Sequence, residues 1–320
     1  MEFTRYVLEP QGPFRLGEGE EEGISDFPHS DTLFGGLCHA WRILYGRDEL
    51  EAMLELSRRD PRFLITSVFP MLEDTPLFPR PLISLKSCEG VEPKEIKKVS
   101  WVDESTFRAM CWGETARGEG MMASADALKK KFKVEVRERV SLDRIESSSN
   151  LYRMESVVYD ANGLGLWLGA RFSDSGVKRK FEASLNLLGE EGIGGLRSIG
   201  MGRFRLRRAV KVRIDLPEGT GAFTTLSLYS PKPEEVPTIQ NGRMRLLTRS
   251  CWTRGARGEE LRARRIRMIS EGAVLRRPQG DIYGRMIDVS PQEPKSEFNI
   301  WRWGYAFPVG VRDEELQCRG

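Results

Sequence analysis

The segment Gly189–Phe204 holds six glycines and two arginines in sixteen residues, between a predicted helix and a predicted strand. A Walker loop requires a Lys followed by Ser or Thr after its glycines, and no Lys follows here. A dinucleotide-binding loop runs from a strand into a helix, whereas this segment runs from a helix into a strand. The order therefore excludes a phosphate cradle at a helix N-terminus. Two alternatives remain: a flexible connection without a ligand, or a loop whose backbone lies close to an anion.

Further strands and helices are predicted around this loop. The strands are Phe3–Leu8, Phe63–Pro70, Leu151–Tyr159, Leu164–Phe172 and Phe204–Ile214, and the helices begin at Ser30 or Asp31 and at Ser173 or Asp174. The first helix carries apolar residues at helical spacing: Leu33, Leu37, Ala40, Trp41 and Leu44. We expect the second helix to end at Gly189. Asn162-Gly163 predicts a tight hairpin that joins strands 151–159 and 164–172.

The order of these elements favours an α+β fold made of two ferredoxin-like, RRM-like domains in tandem. The first domain is predicted to span residues 1–215, with the β-α-β-β-α-β plan and the glycine-rich loop before its last strand. A thumb or arm is inserted at about residues 87–145, and residues 88–131 of it are expected to lie outside the core. Residues 216–320 carry five further predicted strands. We expect a degenerate second copy of the plan there.

Charge is distributed unevenly along the chain, although the net charge is only +3. Residues 1–60 contain 6 Lys and Arg against 13 Asp and Glu, whereas residues 197–277 contain 19 against 7. A concentrated basic region indicates a polyanionic partner such as RNA. The alternative is a solvated charged surface with no partner.

Composition argues against several classes of protein. No apolar run approaches the ~18–20 residues of a membrane span, so no membrane partner is predicted. The five cysteines are scattered without a Cys-x-x-Cys pair, which favours neither a disulfide framework nor a zinc site. We therefore expect a cytoplasmic protein without a metal or cofactor.

Six sequence phrases occur in an order that resembles a known family. They are Phe27–Phe34 (FPHSDTLF), Leu64–Pro70 (LITSVFP), Leu142–Ile145 (LDRI), Leu151–Arg153 (LYR), the loop Gly192–Phe204 and Trp303–Val309 (WGYAFPV). Together they resemble the RAMP superfamily of CRISPR proteins. Within it, the chain is similar to the family of fourth subunits of type III-A (Csm) effector complexes, and the resemblance spans nearly the whole chain.

The resemblance implies a non-catalytic, RNA-binding subunit. Members of this family grip the 5′ handle of the CRISPR RNA and contact the large polymerase-like or cyclase-like subunit on one side. On the other side they contact a backbone RAMP subunit, and target RNA is reached only indirectly. A protruding thumb hairpin would lie within residues 87–140. The resemblance implies no catalytic residue, no metal and no cofactor.

The glycine-rich loop supplies most of the candidate RNA contacts. Backbone amides are expected from Gly194, Gly195, Gly200 and Gly202. Charge-assisted hydrogen bonds to phosphates are expected from Arg197 and Arg203. Ser198 either donates its hydroxyl to a phosphate or caps the turn. The alternative for each arginine is a solvated side chain.

Four further candidates lie outside the loop. The start of the first helix places Ser30 and His29 beside the RNA backbone, because a helix N-terminus attracts phosphate. The alternative role for Ser30 is a plain N-cap. Arg139 and Arg144 follow the predicted thumb and are candidate phosphate contacts, with a solvated strand face as the alternative.

Three other functions stay open. His39 lies on the first helix, where repeat-cleaving RAMP endoribonucleases carry a general acid or base, so metal-independent maturation of CRISPR RNA is one alternative. The neighbours of His39 favour instead a histidine packed in the core. The second alternative is the equivalent subunit of a type III-B (Cmr) complex. The third is a protein–protein scaffold that barely touches RNA.

Overall fold

The computed structural model describes residues 1–17, 24–83, 88–142, 149–160, 162–250, 252–254, 260–291 and 299–312. The strands up to residue 215 are β1 (Glu2–Pro10), β2 (Phe63–Ile65), β3 (Phe69–Leu72), β4 (Thr75–Pro79), β5 (Cys88–Glu89), β6 (Trp101–Asp103), β7 (Ala116–Arg117), β8 (Phe132–Leu142), β9 (Ser149–Tyr159), β10 (Leu164–Phe172) and β11 (Phe204–Arg213). The helices in this part are α1 (Ser30–Arg59), α2 (Pro93–Ile96), α3 (Glu104–Trp112), α4 (Gly118–Lys129) and α5 (Ser175–Glu191).

A seven-stranded antiparallel sheet forms the centre of the molecule, in the order β11-β1-β10-β3-β4-β6, with β2 also paired to β10. β10 lies at its centre because Leu166, Trp167 and Leu168 give it buried side chains on both faces. α1 and α5 pack on one face, where Tyr6 of β1 and Phe181 of α5 belong to the same core. The glycine-rich loop joins α5 to the edge strand β11, as the sequence predicts.

The two long helices differ from the prediction at their ends. α1 contains two helical segments that meet at Gly46, whose φ of 85° interrupts the helix. Leu44 lies on its exposed side, so its assignment to the apolar face is wrong. Asp174 caps α5 by accepting a bond from Val177 N, but the helix continues past Gly189 to Glu191. Gly189 is needed for close packing instead, since a Cβ there would lie 2.4 Å from the carbonyl oxygen of Phe204.

Residues 88–131 belong to the core, which corrects the prediction of an arm outside it. β6 extends the central sheet through its pairing with β4. Phe107 and Met110 of α3 and Met121 of α4 are fully buried and join Phe78 and Trp167 in a second hydrophobic core. The low apolar content around Gly113–Ser124 had hidden this, because only a few of its side chains face inward.

The predicted hairpin between strands 151–159 and 164–172 is also wrong. β9 pairs antiparallel with β8 over its whole length and forms an exposed two-stranded hairpin. Asn162-Gly163 does form a turn, with φ of 102° at Gly163, but β10 then enters the central sheet. Burial on both faces draws β10 into the sheet, whereas the polar residues of β9 suit an exposed hairpin. The sequence analysis predicts a protruding thumb hairpin within residues 87–140. The β8–β9 hairpin begins in that range, at Phe132, but extends beyond it to Tyr159.

The rest of the chain forms small sheets and packs against the first part. Its strands are β12 (Ala222–Thr225), β13 (Leu246–Arg249), β14 (Trp252–Arg254), β15 (Glu260–Arg262), β16 (Ile266–Ile269), β17 (Val274–Arg276), β18 (Ile287–Asp288), β19 (Trp301–Arg302) and β20 (Pro308–Val311), with helix α6 (Val236–Ile239). β12 lies between β17 and β20. Trp303 stacks on Phe63 at a ring-centroid distance of 5.3 Å, so the two parts share a core. The second ferredoxin-like copy remains a prediction.

Candidate RNA-binding site

The glycine-rich loop folds back on itself where α5 ends. Gly192 and Gly202 have φ of 85° and 77°, a region that glycine adopts without strain. Ile193 N donates to Gly202 O at 3.0 Å, which brings the two ends of the loop together. A Cβ on Gly202 would lie 2.0 Å from Ile193 O, and a Cβ on Gly192 would lie 2.3 Å from Met201 O. These two glycines therefore allow two backbone segments to touch.

Three of the four loop amides that are predicted to contact RNA already have hydrogen-bond partners within the chain. Gly195 N donates to Arg15 O at 2.8 Å, and Gly202 N donates to Pro13 O at 2.9 Å. Gly200 N donates to Arg197 O at 2.9 Å and closes the turn. The amides of Gly195 and Gly202 hold the loop against the segment Pro13–Arg15, because the folded chain satisfies its backbone N–H groups internally. Gly194 lies against the same segment, where a Cβ would meet Arg15 O at 2.4 Å.

The side chains of the loop remain available to a ligand. Ser198 and Arg203 are exposed, and Arg197 is half-buried. Arg203 forms an ion pair with Glu190 at 3.0 Å, on a surface where such pairs contribute little and exchange readily. Leu196, which precedes them, has a φ of 59°, an uncommon conformation for a residue with a side chain. The loop thus presents two cations and a hydroxyl on a fixed, locally strained backbone.

His39 lies next to this loop rather than in the core, which corrects the packing prediction. Its side chain is 40% exposed, and Nε2 lies 3.7 Å from a carboxylate oxygen of Glu191. Partial burial and the nearby Arg197 guanidinium lower the pKa of His39, against the opposite effect of Glu191. His39 is therefore neutral near pH 7.

Ser30 does not face a ligand and is not a side-chain N-cap. Its hydroxyl accepts a hydrogen bond from Leu228 N at 3.0 Å, and its own amide donates to Ser67 Oγ at 2.8 Å. The residue is fully buried between the two parts of the chain. His29 occupies the N-cap position without a side-chain cap bond. The tertiary fold thus uses the hydrogen-bonding groups of Ser30 internally, and its predicted RNA contact stays a prediction.

The next residue, Asp31, joins the two parts of the chain through a buried ion pair. Arg249 of β13 binds both of its carboxylate oxygens, at 3.0 and 3.1 Å, and Arg302 of β19 binds one of them. Burial would raise the pKa of Asp31, but the two guanidinium groups outweigh it and hold the pKa far below its ordinary value. All three side chains are at most 7% exposed.

His29 makes a second polar contact between the two parts. Its Nδ1 lies 2.8 Å from Oε1 of Glu271, which also accepts a bond from the Ser67 hydroxyl. Burial lowers the pKa of His29, but the Glu271 carboxylate outweighs it, so the pKa is raised. His29 lies at the wall of a cavity, apart from the glycine-rich loop. The structure does not bring it together with Arg197.

The segment that holds the loop meets the base of the β8–β9 hairpin. Phe14 and Val157 exchange both backbone hydrogen bonds at 2.8 Å, and Phe14 belongs to the segment that holds the loop. Arg139 lies five residues beyond the position that pairs with Val157, about 16 Å further out along the strand. Arg139 is half-buried and is not adjacent to the loop. Arg144 lies outside the described residues.

Sequence reasoning missed the residues that support this surface. Arg15 packs its side chain beside Gly195, where a Cβ would be 3.5 Å from Arg15 Cδ. Arg249 and Arg302 were missed as partners of Asp31. No local pattern could have identified them, because each contact joins residues far apart in the chain. The basic strand β11 was identified, and its Arg205 and Arg208 bind Glu9 and Asp74 at 2.7 and 2.9 Å.

Within the described ranges, no group of three or more His, Cys, Asp or Glu side chains could hold a metal ion. No helix in those ranges is both long and apolar enough to cross a bilayer.

A glycine-rich loop before the last strand of an antiparallel α+β sheet is the arrangement expected of a RAMP protein. The chain belongs to the RAMP superfamily, whose family model matches residues 8–205. Residues 218–311 match the model of the CRISPR Csm4 C-terminal domain, which confirms the resemblance drawn from the sequence.

Individual relatives agree with this assignment. The chain is 26% identical over 326 residues to the CRISPR system Cms protein Csm4 of Thermococcus onnurineus (strain NA1), covering 97% of this chain and 96% of the relative. A chain of the Csm1-Csm4 cassette solved in complex with cA4 has a TM-score of 0.64 at 21% identity, with 98% of each chain covered. A chain of the Csm3-Csm4 subcomplex of a type III-A interference complex has a TM-score of 0.62 at 16% identity, covering 97% of this chain and 99% of the other. The two structures show that the fold is shared.

Proposed function

We propose that this protein is the non-catalytic subunit of a type III-A CRISPR effector complex that grips the 5′ handle of the CRISPR RNA. The observation that carries the proposal is the loop, held on the segment Pro13–Arg15, that presents the side chains of Arg197, Ser198 and Arg203. Arginine side chains suit phosphate because they supply several charged donors in a fixed geometry. The loop glycines serve by packing the backbone tightly, so phosphate contacts come mainly from side chains.

The same proposal includes a place in the assembly. Solved relatives pair Csm4 with Csm1 and with Csm3, which supports a bridge between a large subunit and a backbone subunit. The β8–β9 hairpin offers a surface for one neighbour, since Val136, Val140 and Leu151 are all more than half exposed. A contiguous exposed apolar patch often marks a protein–protein interaction site. Target RNA would be reached only through the assembled complex.

We infer a ferredoxin-like plan for the first domain from the order β11-β1-β10-β3 with α1 and α5 on one face. We also infer a degenerate copy of it over residues 216–320. We also expect the protein to act in the cytoplasm, without a metal or cofactor. The type III-B alternative is tested by which large subunit co-purifies.

The RNA contact is tested with the double variant Arg197→Ala/Arg203→Ala. Binding of a fluorescent repeat-derived RNA is measured by anisotropy at several salt concentrations. Each lost phosphate contact is expected to reduce the slope of log K against log salt by about 1, with weaker binding at every salt concentration. The matched control is Arg47→Ala/Arg59→Ala, which removes two exposed arginines of α1 that bind helical glutamates. Equal affinity and slope in both double variants would contradict the proposal.

The bridging role is tested at the hairpin. Val140 and Leu151 are cross-strand neighbours, and Val140→Thr/Leu151→Thr removes their apolar surface while keeping a strand-forming residue at Val140. We expect reduced co-purification of at least one neighbouring subunit and little change in melting temperature. Val210→Thr, an exposed valine of β11, is the control. Unchanged assembly in the double variant would place the interface elsewhere.

A further inference from the structure

A cavity of 390 Å³ opens beside the N-terminus of α1, and the proposed phosphate contacts do not use it. Its walls come from the segment before α1, from β3, β4 and β6, and from β13. Small-ligand sites commonly occupy ~300–1,000 Å³, so a single nucleotide fits this volume.

One wall of the cavity is aromatic and held rigidly. Trp101 is half-buried at the wall, and Phe27 packs against its ring edge-on at 5.3 Å and 85°. Phe69 contacts the same indole at 5.6 Å. Fixed aromatic rings are the surfaces on which unpaired RNA bases stack. This wall therefore suits a planar heterocycle.

The polar groups of the cavity offer acceptors and a donor. The Glu271 side chain is 9% exposed and is held by His29 and Ser67, both of which bond to Oε1. A carboxylate has about four acceptor positions, so capacity remains for a ligand that brings N–H groups. Arg245 lines the cavity and supplies an exposed guanidinium. A base edge with both donors and acceptors matches this pair.

Buried side chains connect the cavity wall to the segment Pro13–Arg15 that holds the loop. Phe14, in the segment that holds the glycine-rich loop, pairs with Val157 at the hairpin base. Two residues further along β9, the Tyr159 hydroxyl donates to Asp26 O at 2.5 Å. The Tyr159 ring stacks on Phe27 at 5.7 Å and 13°, and Phe27 lines the cavity. These buried contacts fix the position of the cavity wall relative to the glycine-rich loop.

We propose that the cavity receives one unstacked nucleobase that carries an exocyclic amino group. The proposal rests on the RNA-binding function argued above and adds a base-reading subsite to it. Trp101 stacks on the base, Glu271 accepts from its amino group and Arg245 donates to a ring or carbonyl acceptor. Uracil fits worst, because it has a single ring N–H between two carbonyl acceptors and no amino group.

In the first test the full chain is titrated with AMP, GMP, CMP and UMP, and binding of each nucleotide is measured by saturation-transfer NMR. We expect UMP to bind weakest, and Arg245→Ala to weaken the best-binding mononucleotide about tenfold, as loss of a bond to a charged group implies. Arg243→Ala removes an arginine two residues away that does not line the cavity, and it should bind like the wild type. Glu271→Gln should also lose the preference for nucleotides that carry an exocyclic amino group. Arg245→Ala is the decisive variant, because Arg245 is exposed and its loss leaves the fold intact. Equal binding of all four nucleotides, or an Arg245→Ala variant that binds like Arg243→Ala, would overturn the proposal.

The second test places an abasic nucleotide at each position of the repeat-derived RNA in turn. One position should weaken binding to the wild type, and the same substitution should have little further effect in Arg245→Ala. RNA that binds well but tolerates an abasic site everywhere would refute the subsite and leave the proposed function standing. RNA that fails to bind at all would refute the proposed function itself. Loss of a protein neighbour in Arg245→Ala, with unchanged RNA affinity, would show that the cavity holds a protein side chain and would also refute the subsite.

Discussion

The carboxylate of Asp31 is bound by the guanidinium of Arg249, a residue 218 positions later, at 3.0 and 3.1 Å. Arg302 completes a buried triad, so one side chain at the start of α1 holds two strands of the C-terminal part. The start of α1, which the sequence predicts to be an RNA contact or a simple N-cap, is therefore a junction between the two parts of the protein. The His29–Glu271 pair beside it serves the same junction and also forms a wall of the cavity.

Asp31→Asn should destabilise the protein strongly. It would remove the carboxylate charge that Arg249 and Arg302 both bind, and breaking a buried ion pair costs about 3–5 kcal/mol. The free energy of unfolding is measured by urea denaturation. Asp48→Asn, at an exposed position of the same helix, should change it by no more than about 0.5 kcal/mol. A loss no larger than in the control would show that the triad is not a significant source of stability.

The His29–Glu271 pair should make stability depend on pH in a defined direction. The pKa of His29 is raised above its ordinary 6.5, so its contribution is complete below pH 6.5 and is lost as pH rises through the folded value. The pKa of Glu271 is lowered below its ordinary 4.5, so its contribution is present above pH 4.5 and is lost as pH falls. The melting-temperature difference between wild type and His29→Gln should be largest between these values. A difference that is constant, or that grows from pH 6 to pH 9, would contradict the pairing.

Gly202→Ala should unfold the loop locally and weaken RNA binding. Its φ is 77°, and a Cβ would lie 2.0 Å from the Ile193 carbonyl oxygen, so strain of about 1–3 kcal/mol or more is expected. Gly195→Ala is the matched control, because its Cβ would meet only Arg15 side-chain atoms and the Arg15 carbonyl at ordinary contact distances, 3.5 Å or more. Melting temperature and RNA anisotropy are measured on both. Similar melting temperatures for the two variants would mean that the crossed backbone of the loop is not needed.

The wild-type protein should not cleave repeat RNA in the presence of EDTA. His39 has a lowered pKa and is neutral near pH 7, so its protonation state alone would allow it to accept a proton. However, Glu191 at 3.7 Å is its only ion-pair partner among the described residues. Labelled repeat RNA is incubated with wild type and with His39→Ala and separated on a denaturing gel. Cleavage by the wild type that disappears in His39→Ala would establish the endoribonuclease alternative instead.

The parts of the fold that the sequence predicted correctly depend on local chemistry. The cap at Asp174, the helix that follows it, the basic strand β11 and the glycine-rich loop between them all follow from turn and cap residues. Errors arose where several pairings satisfy the same local pattern. Asn162-Gly163 makes a turn in either pairing, and only the burial of Trp167 on the second face of β10 selects the central sheet. Residues 88–131 were misjudged because a few inward side chains, such as Phe107, suffice to anchor them.

The sequence by itself determined the RAMP family, the order of the elements around the glycine-rich loop, and the candidate cations Arg197 and Arg203. These depend on residue types and spacings that are visible within short segments. Only the tertiary structure decided what the polar groups do. It directed the amides of Gly195 and Gly202 to Arg15 and Pro13, and it paired Asp31 with Arg249. Hydrogen bonds and buried ion pairs are satisfied by whichever groups the folded chain brings within about 3 Å, and sequence separation does not limit that choice.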